Sequence, residues 1–136
     1  MPWKLVTEFT FDSAHTIEGY EGPCGRLHGH TYRVKIEVTA NVLRSSEHVQ
    51  RAIMVADFRT LKWAKKDVSQ GGLDHAYLND IPELGANTTA EVIAQFIHRK
   101  TLERIRESLP DSDSGGDIAL KVTLWETPES YCEYFE

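Results

Sequence analysis

From Trp3 to Phe11 the chain alternates. Trp3, Leu5, Phe9 and Phe11 share one parity and Lys4, Glu8 and Asp12 the other, the period of two that marks a strand with one buried face. After a loop punctuated by Gly19, Gly22, Pro23 and Gly25, the segment His30 to Val38 alternates without a break. Two such strands around a long connection predict an antiparallel pair, one face buried and one wet. Asn41 to Arg51 is polar and reads as a loop, whereas Ala52 to Ala56 is apolar on both parities and reads as a short buried strand, a length that does not settle strand against helix. Leu61, Ala64 and Val68 then recur at helical spacing between a capping Asp57 and a Gly71-Gly72 stop, which predicts a short helix over 58–70.

The longest element starts at Thr88, where Thr88-x-x-Glu91 matches a capping box, and runs through Val92, Ile93, Phe96, Ile97, Ile105 and Leu109 to Pro110. Its other face interleaves both signs of charge (Arg99, Lys100, Glu103, Arg104, Arg106, Glu107) and reads as solvated, with His98 and the distant His48 as surface residues. Beyond the Asp111–Asp117 loop, Ile118, Leu120, Val122 and Leu124 alternate with polar neighbours, and Tyr131 to Phe135 is a further strand-like piece. Strands, then helices, then strands is an α+β order, not a βαβ succession.

With 136 residues, 40% of them hydrophobic, the chain has enough core for one domain over 1–136. A net charge of -6 argues against nucleic acid and anionic membranes as partners. No stretch approaches the roughly 20 apolar residues of a membrane helix, and no signal-peptide pattern opens the chain, so a cytoplasmic protein is expected. Two cysteines, Cys24 and Cys132, are too few for a disulfide scaffold. GxGxxG, P-loop and GxSxG patterns are absent, which removes the usual support for nicotinamide or nucleotide-hydrolysis chemistry.

The candidate chemistry lies in the histidines. His28-Gly29-His30 opens the second strand with both imidazoles on the parity of Tyr32, Val34 and Ile36, so they point to the buried side. His15 carries the parity of Phe9 and Phe11, and a first strand extended that far turns it to the same face. Three neutral imidazoles at one sheet end suit zinc and leave a coordination position for water or substrate. Cys24, four residues before His28, admits three roles: fourth ligand of a closed site, nucleophile or base beside an open one, or small buried hydrophobe. Cys132 has no histidine near it in sequence and gets the last of these. Asp74-His75 places an acid beside an imidazole in a turn. Glu126 continues the parity of Leu120, Val122 and Leu124, so a carboxylate ends an apolar strand face and needs a partner, either an Arg or a ligand with adjacent N–H donors such as the amidine edge of a pterin or guanine. Trp3, Trp63, Trp125 and Met54 read as core or half-buried packing.

Taken together, Phe11-x-x-Ala14-His15, Gly19-Tyr20, Cys24-x3-His28-Gly29-His30, Asp57-Phe58, Leu73-Asp74-His75-x-x-Leu78-Asn79 and Trp125-Glu126-Thr127-Pro128 resemble the 6-pyruvoyltetrahydropterin synthase family over nearly the whole chain. The likeness is greatest to its bacterial carboxy branch, which serves queuosine biosynthesis. The resemblance implies the tunnelling fold, a ββααββ subunit with an antiparallel sheet and two helices on one face, assembled into trimers that commonly stack as hexamers. It further implies zinc on His15, His28 and His30, Cys24 as the catalytic thiol, Asp74 and His75 as its partners supplied by a neighbouring subunit, and Glu126 as the pterin anchor. One motif departs from the pattern: many relatives read Pro-Thr-x-Glu-Asn where this chain has Thr88-Thr89-Ala90-Glu91-Val92, and the capping box suffices to explain Glu91. The implied substrate is 7,8-dihydroneopterin triphosphate, and the implied product is a 6-carboxy or a 6-pyruvoyl tetrahydropterin. A generic zinc lyase and a non-catalytic pterin- or purine-binding module with structural zinc are the competing classes.

Overall fold

A computed structural model describes residues 2–136. Its frame is a five-stranded sheet in the order β3-β1-β2-β4-β5, formed by β1 (Trp3–His15), β2 (His28–Ala40), β3 (Ala76–Tyr77), β4 (Ala119–Thr127) and β5 (Ser130–Phe135). The long strands pair antiparallel, and β3 runs parallel to β1 at one edge. Alternation translates directly into burial: Thr7, Phe9, Phe11, Ser13 and His15 of β1 and Tyr32, Val34, Ile36 and Val38 of β2 all face the core. Trp3, at the start of the strand, shares their parity but lies 45% exposed, where that face loses its cover.

That cover is α2 (Ala90–Glu107), which packs on β4 and β5. Its buried side chains include Ile93, Phe96, Ile97 and Ile105, and burying each such group is worth about 1.5–3 kcal/mol. The mixed-charge face points outward, apart from His98, which is only 3% exposed and is not the surface residue its charged neighbours suggest. Its position on the helix turns it toward the sheet, where its Nε2 lies 3.0 Å from the carbonyl of Leu120. Thr89 is the cap, accepting from the amide of Val92 at 3.3 Å, one residue later than the capping-box pattern predicts. Thr88 is thereby left outside the helix and fully buried.

The segment expected to be a helix over 58–70 is broken. Only Phe58–Leu61 forms α1, followed by single 3-10 turns at Trp63–Lys65 and Val68–Gln70. Asp57 and Asp67 each accept from the amide two residues on, at 2.9 Å, so Asp67 starts a new turn within the predicted helix. Ala52–Ala56 is not a strand: one bridge, Met54 to Arg44, is its whole pairing, and Ile53 is 50% exposed. Arg44 itself is buried and held by Asp113, at 2.7 Å, and by Asp117, which ties this segment to the loop after α2. Among the described residues no helix is long and apolar enough to cross a membrane.

Candidate metal centre and active site

Register builds the centre. β1 and β2 pair with His15 directly opposite His28 and with Ser13 opposite His30, so three imidazoles of one face meet at the loop end of the hairpin. Ring centroids lie 4.5 Å (His15–His28), 5.1 Å (His15–His30) and 4.9 Å (His28–His30) apart, and one ring nitrogen of each lies within 4.8 Å of the others. The intervening Gly29 is not sterically required, since a Cβ there would meet the carbonyl of Ser13 at an ordinary 3.5 Å. Gly25 is required: a Cβ would sit 2.2 Å from the carbonyl of Tyr20, so the loop can fold back on itself only with glycine.

Two backbone carbonyls fix the tautomers. His15 Nδ1 donates to Thr88 O at 2.8 Å and His28 Nδ1 to Arg26 O at 2.6 Å, which leaves the Nε2 atom of each neutral ring as a lone pair. Those atoms face each other at 3.0 Å, and His30 Nε2 is buried with no hydrogen-bond partner. Converging lone pairs with nothing between them repel, whereas a cation among them resolves both the repulsion and the orphan nitrogen. An all-imidazole donor set with carbonyls on the far nitrogens is suited to zinc. Burial lowers the pKa of His15 and of His30, and the neighbouring imidazoles lower both further, against the opposing pull of Glu126 and, for His15, of the Thr88 carbonyl. Those two rings are therefore kept in the neutral form that a metal needs.

Around the three rings the support is polar. Asn79 brackets Thr16, accepting its amide and donating to its carbonyl, both at 2.9 Å, and the Thr88 hydroxyl donates to the same carbonyl at 2.8 Å. A role for Thr88 in orienting His15 has no signal in the sequence, because it acts through a carbonyl that every residue possesses, whereas Asn79 stands in the Leu73-Asp74-His75-x-x-Leu78-Asn79 motif.

The remaining candidates fall in three places. Glu126 joins the centre: the β4–β5 register shifts between Trp125 and Thr127, and its Oε1 lies 3.5 Å from His30 Nε2. Alternation along β4, in register with β2, already places it on the histidine face. Glu126 thus reaches an imidazole, not the Arg that a purely structural role would supply. Cys24 lies exposed in the 3-10 turn Pro23–Gly25 and is a free thiol outside the ligand cluster. Asp74 and His75 pair with each other, Oδ2 to Nδ1 at 2.9 Å, beside the free edge of the sheet. The Asp12 amide, with the His75 imidazole, holds Asp74 below the usual carboxylate range. The His75 side chain is 69% exposed, its backbone is left-handed at φ 56, and it lines an open depression with Gly29 and His30. Cys132 is half-buried against the core, its thiol pushed up to about 11 by burial.

A family model described as 6-pyruvoyl tetrahydropterin synthase matches residues 4–136. The chain is 33% identical to the 6-carboxy-5,6,7,8-tetrahydropterin synthase of Haemophilus influenzae, covering 98% of this chain and 99% of that one. It is 38% identical to the protein of the same name from Synechocystis, over 74% and 76% of the two chains. Among solved structures it resembles the Caenorhabditis elegans 6-pyruvoyl tetrahydropterin synthase, with a TM-score of 0.65 at 21% identity over 98% and 95% of the chains. The chain thus shares the α+β fold of that synthase. The chain belongs to the 6-pyruvoyl tetrahydropterin synthase family.

Proposed function

We propose that this protein is a zinc-dependent lyase that converts 7,8-dihydroneopterin triphosphate to 6-carboxy-5,6,7,8-tetrahydropterin, releasing acetaldehyde and triphosphate, in 7-deazapurine (queuosine) biosynthesis. The observation that carries this reading is the convergence of three metal-ready Nε2 atoms with a carboxylate beside them, in a chain whose full-length relatives bear the carboxy-synthase name. His15, His28 and His30 hold the zinc, which when bound supplies Lewis acidity toward the hydroxyls of the substrate side chain. Glu126 accepts two adjacent N–H donors of the pterin and so orients the ring. Cys24, exposed and uncoordinated, takes the proton from the side-chain carbon as general base. His75, turned by its bond to Asp74, returns protons to the ring. The hydrogen gained by the pterin comes from its own side chain, triphosphate leaves, and a retro-aldol-like cleavage consuming water releases acetaldehyde.

Asp74 and His75 stand at the sheet edge and His75 is largely exposed, which suits a pair that serves Cys24 of a neighbouring copy. The open sheet has free edges at β3 and β5, with Tyr131 and Phe135 of β5 59% and 65% exposed, which suits edge-to-edge closure into a homotrimer or a stacked homohexamer. The test is incubation of the zinc-loaded protein with dihydroneopterin triphosphate and mass analysis of the products. A carboxylated tetrahydropterin with acetaldehyde is expected, a pyruvoyl product without acetaldehyde moves the chain to the other branch, and no turnover sinks the reading. Cys24→Ala is expected to keep the metal and lose about 10²–10⁴-fold in kcat, whereas loss of zinc on that change makes Cys24 a ligand.

A further inference from the structure

Three buried polar atoms lack a hydrogen-bond partner among the described residues: His30 Nε2, Tyr32 Oη and Glu37 Oε2. Glu37 is compensated by Lys121, whose Nζ lies 3.3 Å from that oxygen, and His30 Nε2 belongs to the metal centre. Tyr32 is left unexplained. Its side chain has no exposed surface, its ring stacks on Phe11 at 5.0 Å, and it sets its edge against His30 at 5.4 Å. A tyrosine so enclosed without need of its hydroxyl would serve better as phenylalanine, since a buried donor with no acceptor is a net cost.

Register supplies the acceptor. Tyr32 stands opposite Phe11 on β1, and the β2–β4 ladder ends with Arg33 opposite Trp125, so the next β4 residue on the side of Tyr32 is Glu126, in the bulge. Glu126 is directed at His30 Nε2, the atom whose lone pair a metal would take. A cation on that nitrogen rules out a hydrogen bond from the ring to the carboxylate, and the phenol is the unpaired donor beside it.

We propose that Tyr32 is a positioning residue whose O–H is held for the Glu126 carboxylate in the metal-loaded protein, fixing the orientation in which Glu126 grips the N–H donors of the substrate. This rests on the pterin reading of Glu126, so the test has arms that separate the two. In metal-free protein Tyr32→Phe leaves the Tm unchanged or raises it. With zinc content unaltered, the same change weakens binding of neopterin, followed by fluorescence, about tenfold, the loss of one charge-assisted hydrogen bond. In a Glu126→Ala background it has no further effect. A crystal structure of the zinc-loaded protein shows Oη within about 3 Å of the carboxylate. A clear drop in the metal-free Tm, additive effects of the two changes, or another group on the phenol in the zinc-loaded crystal would each overturn the proposal. If the wild type fails to bind neopterin, the pterin reading falls, and the crystal distance still decides the Tyr32–Glu126 pair.

Discussion

The loop end of β1 and β2 and the seam between α2 and β4 both set imidazoles against backbone carbonyls, yet only one of them leaves converging ring nitrogens that could hold a metal. At the seam, His98 donates from Nε2 to Leu120 at 3.0 Å and packs edge-on against Tyr134 at 4.8 Å, so one ring finds one acceptor and an aromatic neighbour. At the hairpin end, His15 and His28 spend their Nδ1 protons on carbonyls pointing away from the centre, and what remains is a set of lone pairs aimed at one another. The fold does not tolerate the second arrangement for packing alone. Direction of the unprotonated nitrogens, not burial or histidine count, separates a site from a core residue.

The sharpest way to break this comparison is to remove one ring from each region. His28→Ala is expected to cost more than the roughly 10–100-fold in zinc affinity that follows loss of an outer-shell partner, and to abolish turnover, whereas His98→Gln retains the metal and most of the activity. Metal analysis by mass spectrometry after gel filtration checks both. Equal zinc in the His28→Ala protein and the wild type would mean that the converging rings are not a metal centre.

A smaller effect tests whether the far-side carbonyls matter. Thr88→Val keeps the shape of the buried side chain but removes the hydroxyl that anchors the Thr88–Thr16 contact, and with it the precision of the carbonyl that orients His15. Zinc affinity, measured by competition with a chelating dye, should fall about tenfold, at the lower end for outer-shell partners. No change would show that strand pairing alone sets the ring.

The two regions also differ in how far the sequence reveals them. The triad is legible because β1 and β2 are long and strictly alternating, so parity carries His15, His28 and His30 to one face without knowledge of anything distant. Cys24, Asp74 and His75 stand out through their motifs and Glu126 through the parity of β4, but the 3.5 Å approach of Glu126 to His30 across the sheet leaves no periodic trace. His98 is misread because a residue followed by Arg99 and Lys100 inherits their apparent exposure, while the turn of the helix carries it onto β4. The segment 58–70 misleads for another reason: apolar spacing compatible with a helix is overruled locally by Asp57 and Asp67, whose side chains close turns of their own. Two residues of β3 are too few for any period to show.

The smallest effect belongs to His98 and concerns pH. Burial lowers its pKa, outweighing the Leu120 carbonyl and the Glu136 charge, which both pull it upward. Below its ordinary value of about 6.5, the unfolded chain takes up a proton at this ring before the folded protein does, so stability rises with pH there. The contribution is fully present above that value and is lost as pH falls toward the lowered folded value. His98→Gln, which still offers a donor to Leu120, should remove this part of the acid sensitivity. Compared in metal-free protein, so that the pH dependence of zinc binding does not enter, the fall in Tm from pH 7.5 to pH 5.5 should be smaller in the variant by on the order of a few degrees. An unchanged fall would place the acid sensitivity in the hairpin-end rings, His15 and His30, whose pKa values burial also lowers, and would show that the seam imidazole is as free to take a proton in the folded protein as in the unfolded chain.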